Sequence, residues 1–579
     1  SKTSRTITAT DRVKEFGFQI LNADGGKLFC TSCNISLDYT RRATVQRHLE
    51  LECHRRKRAA DSALLGNVKK NKTIASLFKK TTESSETRHL ATVELVDAFA
   101  SANIPLEKLD HPKLREFIQR NVQNAGSLPS ANKLRQDYLP KIFATHFEDI
   151  KSLLNSCESF AIISDESTDE QDSYVLHVLF AEDVQTGKLT TILADCVYLD
   201  AVNYTTVSQA IIKTISKYGA DFDKVSAFIS DNATYMTKSV KSVLQGVMPN
   251  AVHITCNAHI ISLVSELWRC NFSKVDKLVS YIKKIFKHCP SRKNIANATE
   301  KISEIGKQKI ALSPEPVITR WNSWFQAVQY HAAHLKYYSD FVSEELTLTP
   351  KTQVLTDLST LLNDAQLNDV QFVAKNATGL MDLITWFESR YVTIHEAYNK
   401  VMDVMYWAEA QSNENHSDNT ELNARAQQVF SCMAKKLRQY YCYEEDSSDA
   451  EKKAQKFKQP ATMFLKLRIF DPAQMHLLML DLSSLNATPG FNKNCRLEIP
   501  AYKNIAKEAD CTLPVLQFWK SVEGRIPHLA KLARRCLTIP TNSMDAERAV
   551  SKHRQVFSAQ RPGMKRDTAA GCSMLTFNH

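Results

Sequence analysis

The chain has 579 residues, 43% of them hydrophobic and 24% charged, with only 14 Gly and 17 Pro. That composition excludes collagen-like and low-complexity chains, and with no run of about 18 apolar residues it excludes a transmembrane helix. The net charge of +11 is concentrated in residues 1–80, which hold 17 Lys/Arg against 7 Asp/Glu, while the other 499 residues hold 57 against 56. A basic arm on a near-neutral body points to a polyanion, most simply nucleic acid, with a merely solvated tail as the bland alternative. Of fourteen Cys only Cys30 and Cys33 lie close together, so no disulfide framework is expected. The first residues, SKTSRTITATDRVKEF, lack the apolar core of a secretory signal, and a reducing compartment fits best.

In chain order, residues 12–58 form a compact Cys/His unit, and the polar, basic residues 59–88 read as a linker. Residues 89–155 carry apolar positions at helical spacing, punctuated by Pro105 and Pro112, with Asp110 as a plausible N-cap. Three β-branched apolar runs follow, FAIISDEST, YVLHVLFAED and LTTILADCVYLD, on connections short enough for antiparallel strands. A helix ending at Gly219, a strand VSAFISD and a strand AVHIT flanked by helices complete residues 156–268. Three meandering strands followed by αβ units is the order of an RNase H-like sheet; a doubly wound nucleotide fold would begin βαβ and carry a glycine-rich loop. Residues 269–520 read as an all-α insertion with polar breaks at 412–420 and 444–453, and 521–579 return to the core. The expected architecture is α+β and multidomain.

Cys30, Cys33, His48 and His54 have the spacing C-x2-C-x14-H-x5-H. A tight CxxC turn and a following helix supply the four borderline-soft ligands that tetrahedral Zn²⁺ takes, with Cys53 as a rival fourth ligand. Such a site is closed and structural. Arg42, Arg47, Arg55, Arg56 and Arg58 lie on or beside that helix, where they could meet phosphates or base edges.

Metal-dependent phosphoryl transfer uses carboxylates that hold two divalent ions on a rigid scaffold. Asp165 follows the first apolar run and Asp231 the fourth, on strands that are neighbours in an RNase H-like sheet. The competing reading of each is a loop Asp capping a turn. Glu547, in SMDAERAVS, is no better a third carboxylate by spacing than many others, and Asp545 competes with it. Cys256 and His259 at i, i+3 make only half a zinc site, and Trp321 and Trp324 could both be core residues of one helix.

Two resemblances bear on these choices. The finger, with DGGKLFCTSCN and on through ANIPLEKLDHPKLREFI, is similar to the BED-type finger of the CGG-triplet-repeat-binding family over about residues 10–140. That implies DNA binding at the N-terminus. The pieces ISDESTD, ISDNATYM, CNAHIISL, ITRWNSW and IPTNSMDAERAVS resemble the hAT superfamily of DNA transposases. This second resemblance implies a metal-binding triad of Asp165, Asp231 and Glu547 with Mg²⁺ or Mn²⁺, and a core interrupted by a helical insertion. It further implies that His259 lies near the scissile phosphate, that Arg320 pairs with phosphate and that Trp321 stacks on a displaced base. Ala546 and Val550 depart from the Ser and Phe usual in the last motif. The implied function is excision and integration of transposon DNA in the nucleus by an assembly of at least two copies, with double-stranded DNA as partner, no membrane and no small-molecule substrate. The runner-up is a domesticated, non-catalytic DNA-binding regulator.

Overall fold

The computed structural model describes residues 7–64, 74–122, 127–169, 171–183, 189–287, 322–348, 352–362, 368–389, 392, 394–442, 461–475, 485, 488–510, 512–558, 561 and 563–579. The chain forms two compact units, Ser1–Leu90 and Ala91–His579.

The first unit opens with helix α1 (Ala9–Phe16), whose start is held by a capping box between Thr8 and Asp11. Strands β1 (Leu21–Asp24), β2 (Lys27–Cys30) and β3 (Ile35–Leu37) form an antiparallel meander. Gly25 and Gly26 make the two-residue turn between β1 and β2, both at positive φ (53° and 75°), which only glycine adopts without cost. Helix α2 (Arg42–Glu50) and helix α3 (Glu52–Leu64) follow, separated by the extended backbone of Leu51. The fully buried apolar set is small: Ala9, Leu21, Leu28, Cys30 and Val45. The linker expected at 59–88 is helical where it is described, in the last turns of α3 and the first half of helix α4 (Ile74–Ser101). Neither described piece, 59–64 nor 74–88, contains Gly or Pro, so a polar composition does not bar helix there.

In the second unit, helix α5 (Pro112–Asn121) has Pro at its first position, as the missing N–H there permits. Asp110 does not cap it. Its carboxylate accepts the N–H of Ala131 at 3.1 Å and pairs with Arg115 at 2.9 Å, because a distant segment folds back onto it. Helix α6 (Leu139–Ser156) leads into a five-stranded mixed sheet. Its strands are β4 (Phe160–Thr168), β5 (Tyr174–Asp183), β6 (Leu189–Leu199), β7 (Val225–Ser230) and β8 (Val252–Thr255), in the spatial order β6-β5-β4-β7-β8. The pairs β4–β5 and β5–β6 are antiparallel, whereas β4–β7 and β7–β8 are parallel. All six residues of β7 are buried, as suits a parallel strand covered on both faces. Helix α7 (Tyr204–Lys217) crosses between β6 and β7 and stops where Gly219 takes φ +61°. Helix α8 (Asn257–Asn271) leaves β8 and enters a block that is helical throughout its described residues up to about residue 520. Trp268, fully buried, centres that block among Phe325, Phe372 and Phe430. Each such aromatic removes 150–250 Å² from water, so this cluster dominates local stability. Helices α9 (Met544–Val556) and α10 (Arg566–Asn578) return to the sheet: α9 packs on β4, β5 and β6, and α10 on β6 and α6. The fold is therefore mixed and mostly helical. Among the described residues no helix is long and apolar enough to cross a membrane.

Candidate functional site

Asp165 and Asp231 meet because of strand register. Ala161, Ile162 and Ile163 of β4 lie opposite Ala227, Phe228 and Ile229 of β7. Two residues beyond the last pair come Asp165, in β4, and Asp231, just past the end of β7; the shared offset brings them near each other, and the Asp231 charge acts on Asp165. Neighbouring strands are about 4.8 Å apart, and residues two apart share a face. Backbone N–H groups orient both: Glu166 donates to Asp165 Oδ1 at 3.0 Å and Ala233 to Asp231 Oδ1 at 3.1 Å.

Glu547 comes from the first turn of α9. What holds it is a zipper between the start of α8 and the residues before α9. Asn257 N donates to Thr541 O at 3.1 Å, and Ser543 N donates to the Cys256 sulfur at 3.2 Å. The Asn257 side chain also donates to Thr541 O and accepts from Tyr441, so this buried amide is satisfied from two distant segments. As a result His259 Nε2 lies 3.6 Å from Glu547 Oε1. Asp545, the rival carboxylate, instead pairs with Arg548 at 2.6 Å. Ala546 is fully buried and Val550 nearly so. The small residue at 546 thus faces packing, beside Glu547 and not on it.

The charges of these groups are coupled. Burial pushes the Asp165 carboxyl up, His259 pulls it down, and Asp231 and Glu547 push it up again, leaving it at about 7. For His259 burial acts downward, but the Cys256 sulfur, Glu547 and Asp165 outweigh it and hold the imidazole at about 10. The site therefore gathers three carboxylates and one cationic ring. Among the described residues the three carboxylates do not all come within 4.8 Å of one another. Hard oxygen donors of this kind suit Mg²⁺-class ions.

Glu166 and Tyr235 belong to the same neighbourhood and were not anticipated. Tyr235 donates to Glu166 Oε2 at 3.3 Å, and burial, followed by the Asp231 charge, raises the Tyr235 hydroxyl well above its usual range. The acidic pair DE in ISDEST was the available signal for Glu166. Trp324 is buried and donates to Asp276 at 2.9 Å. Arg320 and Trp321 lie outside the described residues.

In the first unit Cys30, Cys33, His48 and His54 have their ligand atoms within 4.8 Å of one another. His54 Nδ1 is 3.4 Å from the Cys30 sulfur and 3.3 Å from that of Cys33. A tetrahedral ion with bonds of about 2.0–2.3 Å has ligand–ligand edges of roughly 3.3–3.8 Å, so the set fits Zn²⁺. His48 Nε2 is buried without a hydrogen-bond partner, and burial lowers both imidazoles, keeping them neutral as ligation requires. The sequence put His48 on the helix after the CxxC turn and His54 at or past that helix's end. In the structure the helix breaks at Leu51, and His54 sits in the first turn of α3, pointing back at the sulfurs. Cys53 is exposed and outside the cluster. Arg42, Arg47, Arg55, Arg56 and Arg58 are exposed on α2 and α3, as are Arg41 and Lys57, which the motif reading passed over. Arg42 is engaged by Glu15 and Arg56 by Glu52.

Comparisons with known proteins divide along the chain. Residues 3–60 match the CGGBP1 N-terminal domain and residues 82–141 the CGGBP1 helical domain. Residues 501–576 match the hAT family C-terminal dimerisation region. The human CGG triplet repeat-binding protein 1 is 39% identical over 157 residues, which cover 27% of this chain and 90% of that protein. The mouse protein of the same name is 38% identical with the same coverage.

Proposed function

The chain belongs in its N-terminal part to the family of CGG triplet repeat-binding protein 1 and ends in an hAT C-terminal dimerisation region, and from that premise we propose that it is an hAT-like DNA transposase. The observation that carries the proposal is the shared register offset that brings Asp165 and Asp231 near each other, with Glu547 and His259 brought up beside them.

The first unit is a BED-type finger closed by Zn²⁺ on Cys30, Cys33, His48 and His54, with its exposed arginines set against DNA phosphates and base edges. A preference for CGG-rich duplexes, as in the relatives' name, is the natural starting hypothesis. The five-stranded sheet is an RNase H-like core; its three antiparallel strands followed by two parallel ones support this. Asp165, Asp231 and Glu547 would hold Mg²⁺ or Mn²⁺ ions, which polarise the phosphate and acidify water. His259, cationic at neutral pH, lies where it can meet the phosphate and offset developing charge. By the mechanism the hAT resemblance implies, water cleaves one strand at the element end. The flank 3′-OH attacks the opposite strand to leave a hairpin, and the element's own 3′-OH then attacks target DNA. Pairing two ends needs at least two copies, in keeping with a C-terminal dimerisation region, and DNA as substrate implies a nuclear site of action.

A second reading has its own support. About a quarter of this chain accounts for nine-tenths of each relative. The finger and helical segment thus make up nearly all of those proteins, and this chain could be a non-catalytic DNA-binding regulator. Strand cleavage on a plasmid bearing the element's ends, with Mg²⁺ or Mn²⁺, separates the two. Nicking by wild type that Asp231→Ala abolishes while DNA binding persists supports the transposase; no nicking by wild type on cognate ends supports the regulator.

A further inference from the structure

One rung of the sheet continues past the carboxylates. Asp165 of β4 lies opposite His177 of β5, and His177 lies opposite Cys196 of β6. Directly opposed residues share a face, and on that face α9 brings Glu547 near Asp165 and His553, about two turns further on, near His177 and Cys196. His177, Cys196 and His553 are all buried, with their ligand atoms within 4.8 Å of one another. The two imidazole rings meet edge to face, centroids 5.2 Å apart.

Proton accounting leaves these groups able to act as ligands. Ser573 Oγ lies 2.7 Å from Ala569 O, to which it can donate, and 2.9 Å from His553 Nδ1. With that donation made, Ser573 accepts from Nδ1–H and the lone pair is left on Nε2. Fixing the tautomer through the distal nitrogen is how ligating histidines are held. Nε2 has only a long contact of 3.3 Å with the Tyr198 hydroxyl, which can rotate away. His177 is fully buried, and neither of its nitrogens makes a hydrogen bond of good geometry, though the backbone carbonyls of Val175 and Asp165 are among its polar neighbours. A buried ring with no well-aligned hydrogen bond at either nitrogen is poorly compensated, and a bound ion would recover part of that cost. Asp169, whose Oδ2 is also buried and unpartnered, lies within electrostatic reach of His553 and adds negative charge.

We propose that His177, Cys196 and His553 form a buried site for one borderline-soft divalent ion, Zn²⁺ by ligand type, separate from the finger and from the carboxylates. The ion joins β5 and β6 to α9 and so positions the helix that carries Glu547. The site does not depend on the catalytic reading: a regulator that never cuts DNA would hold the same ion.

The test uses the full chain with Cys30→Ser and Cys33→Ser, which remove the finger's thiolates. After expression with zinc and gel filtration, about one zinc per chain is expected. Exchange for Co²⁺ should give a thiolate-to-cobalt charge-transfer band, which carboxylate ligands do not produce. Adding Cys196→Ala should remove both the zinc and the band. Absence of zinc and band from the finger-deficient chain overturns the proposal, a result that needs no folding of the third variant. Retention of both after Cys196→Ala, in protein with an unchanged circular dichroism spectrum, also overturns it.

Discussion

The finger and the sheet build their sites in opposite ways. In the small unit all four candidate ligands fall between residues 30 and 54, and besides Cys30 itself only Ala9, Leu21, Leu28 and Val45 form the buried apolar set around them. In the sheet the carboxylates come from residues 165, 231 and 547, and a core running through the whole second unit holds them. A unit with so small a buried core would draw folding energy from the proposed Zn²⁺, whereas the sheet's carboxylates sit on a core that is large without any ion. On the proposed reading, one site is a cause of its fold and the other a consequence.

The strongest way to break this contrast is to remove zinc or make Cys33→Ser. The first unit should unfold and high-affinity DNA binding disappear, while the second unit keeps its melting transition; calorimetry with a gel shift reads both. Asp231→Asn should do the reverse, lowering nicking by about 10³-fold or more while binding and stability hold, as loss of a charge-stabilising group at a reacting phosphate does.

Acid sharpens the comparison within the larger unit. Burial holds His331 and His253 down at about 4. Both are neutral when folded and take up a proton near pH 6.5 when unfolded. Their contribution is complete above pH 6.5 and is lost as pH falls towards 4, by on the order of 3 kcal/mol each. His331→Gln should flatten the pH dependence of urea stability over that window by one proton's worth.

A smaller effect is expected at Gly571 in α10, where an added Cβ would lie 2.6 Å from the Phe143 ring of α6. Gly571→Ala should cost about 1–3 kcal/mol by overpacking, read as a lower melting temperature of the second unit alone. Cys53→Ser should change neither zinc content nor stability, since the exposed thiol is outside the cluster.

Asp165 and Asp231 were legible because each closes an apolar ISD run; in the structure Asp165 lies inside β4 and Asp231 just after β7, and their 66-residue separation equals the β4–β7 register offset. Glu547 was legible only through the family motif. Its partner contacts pass through Cys256, Asn257 and Thr541, which no spacing rule links. The choice between His54 and Cys53 turned on a helix break at Leu51, which carries no Gly or Pro to mark it. The polar, basic composition of 59–88 read as a linker and did not reveal the helix found in its described residues. His177 was visible all along as the lone polar residue in YVLHVLF, but Cys196 and His553 are joined to it only by tertiary folding.

The most direct test of the central claim is to count Mn²⁺ bound by the full chain on end DNA, using electron paramagnetic resonance, for wild type and Glu547→Gln. Convergence of the three carboxylates predicts about two ions per chain in wild type and a clear loss in the variant. Identical counts in both would mean that Glu547 coordinates nothing, and the catalytic reading would fall.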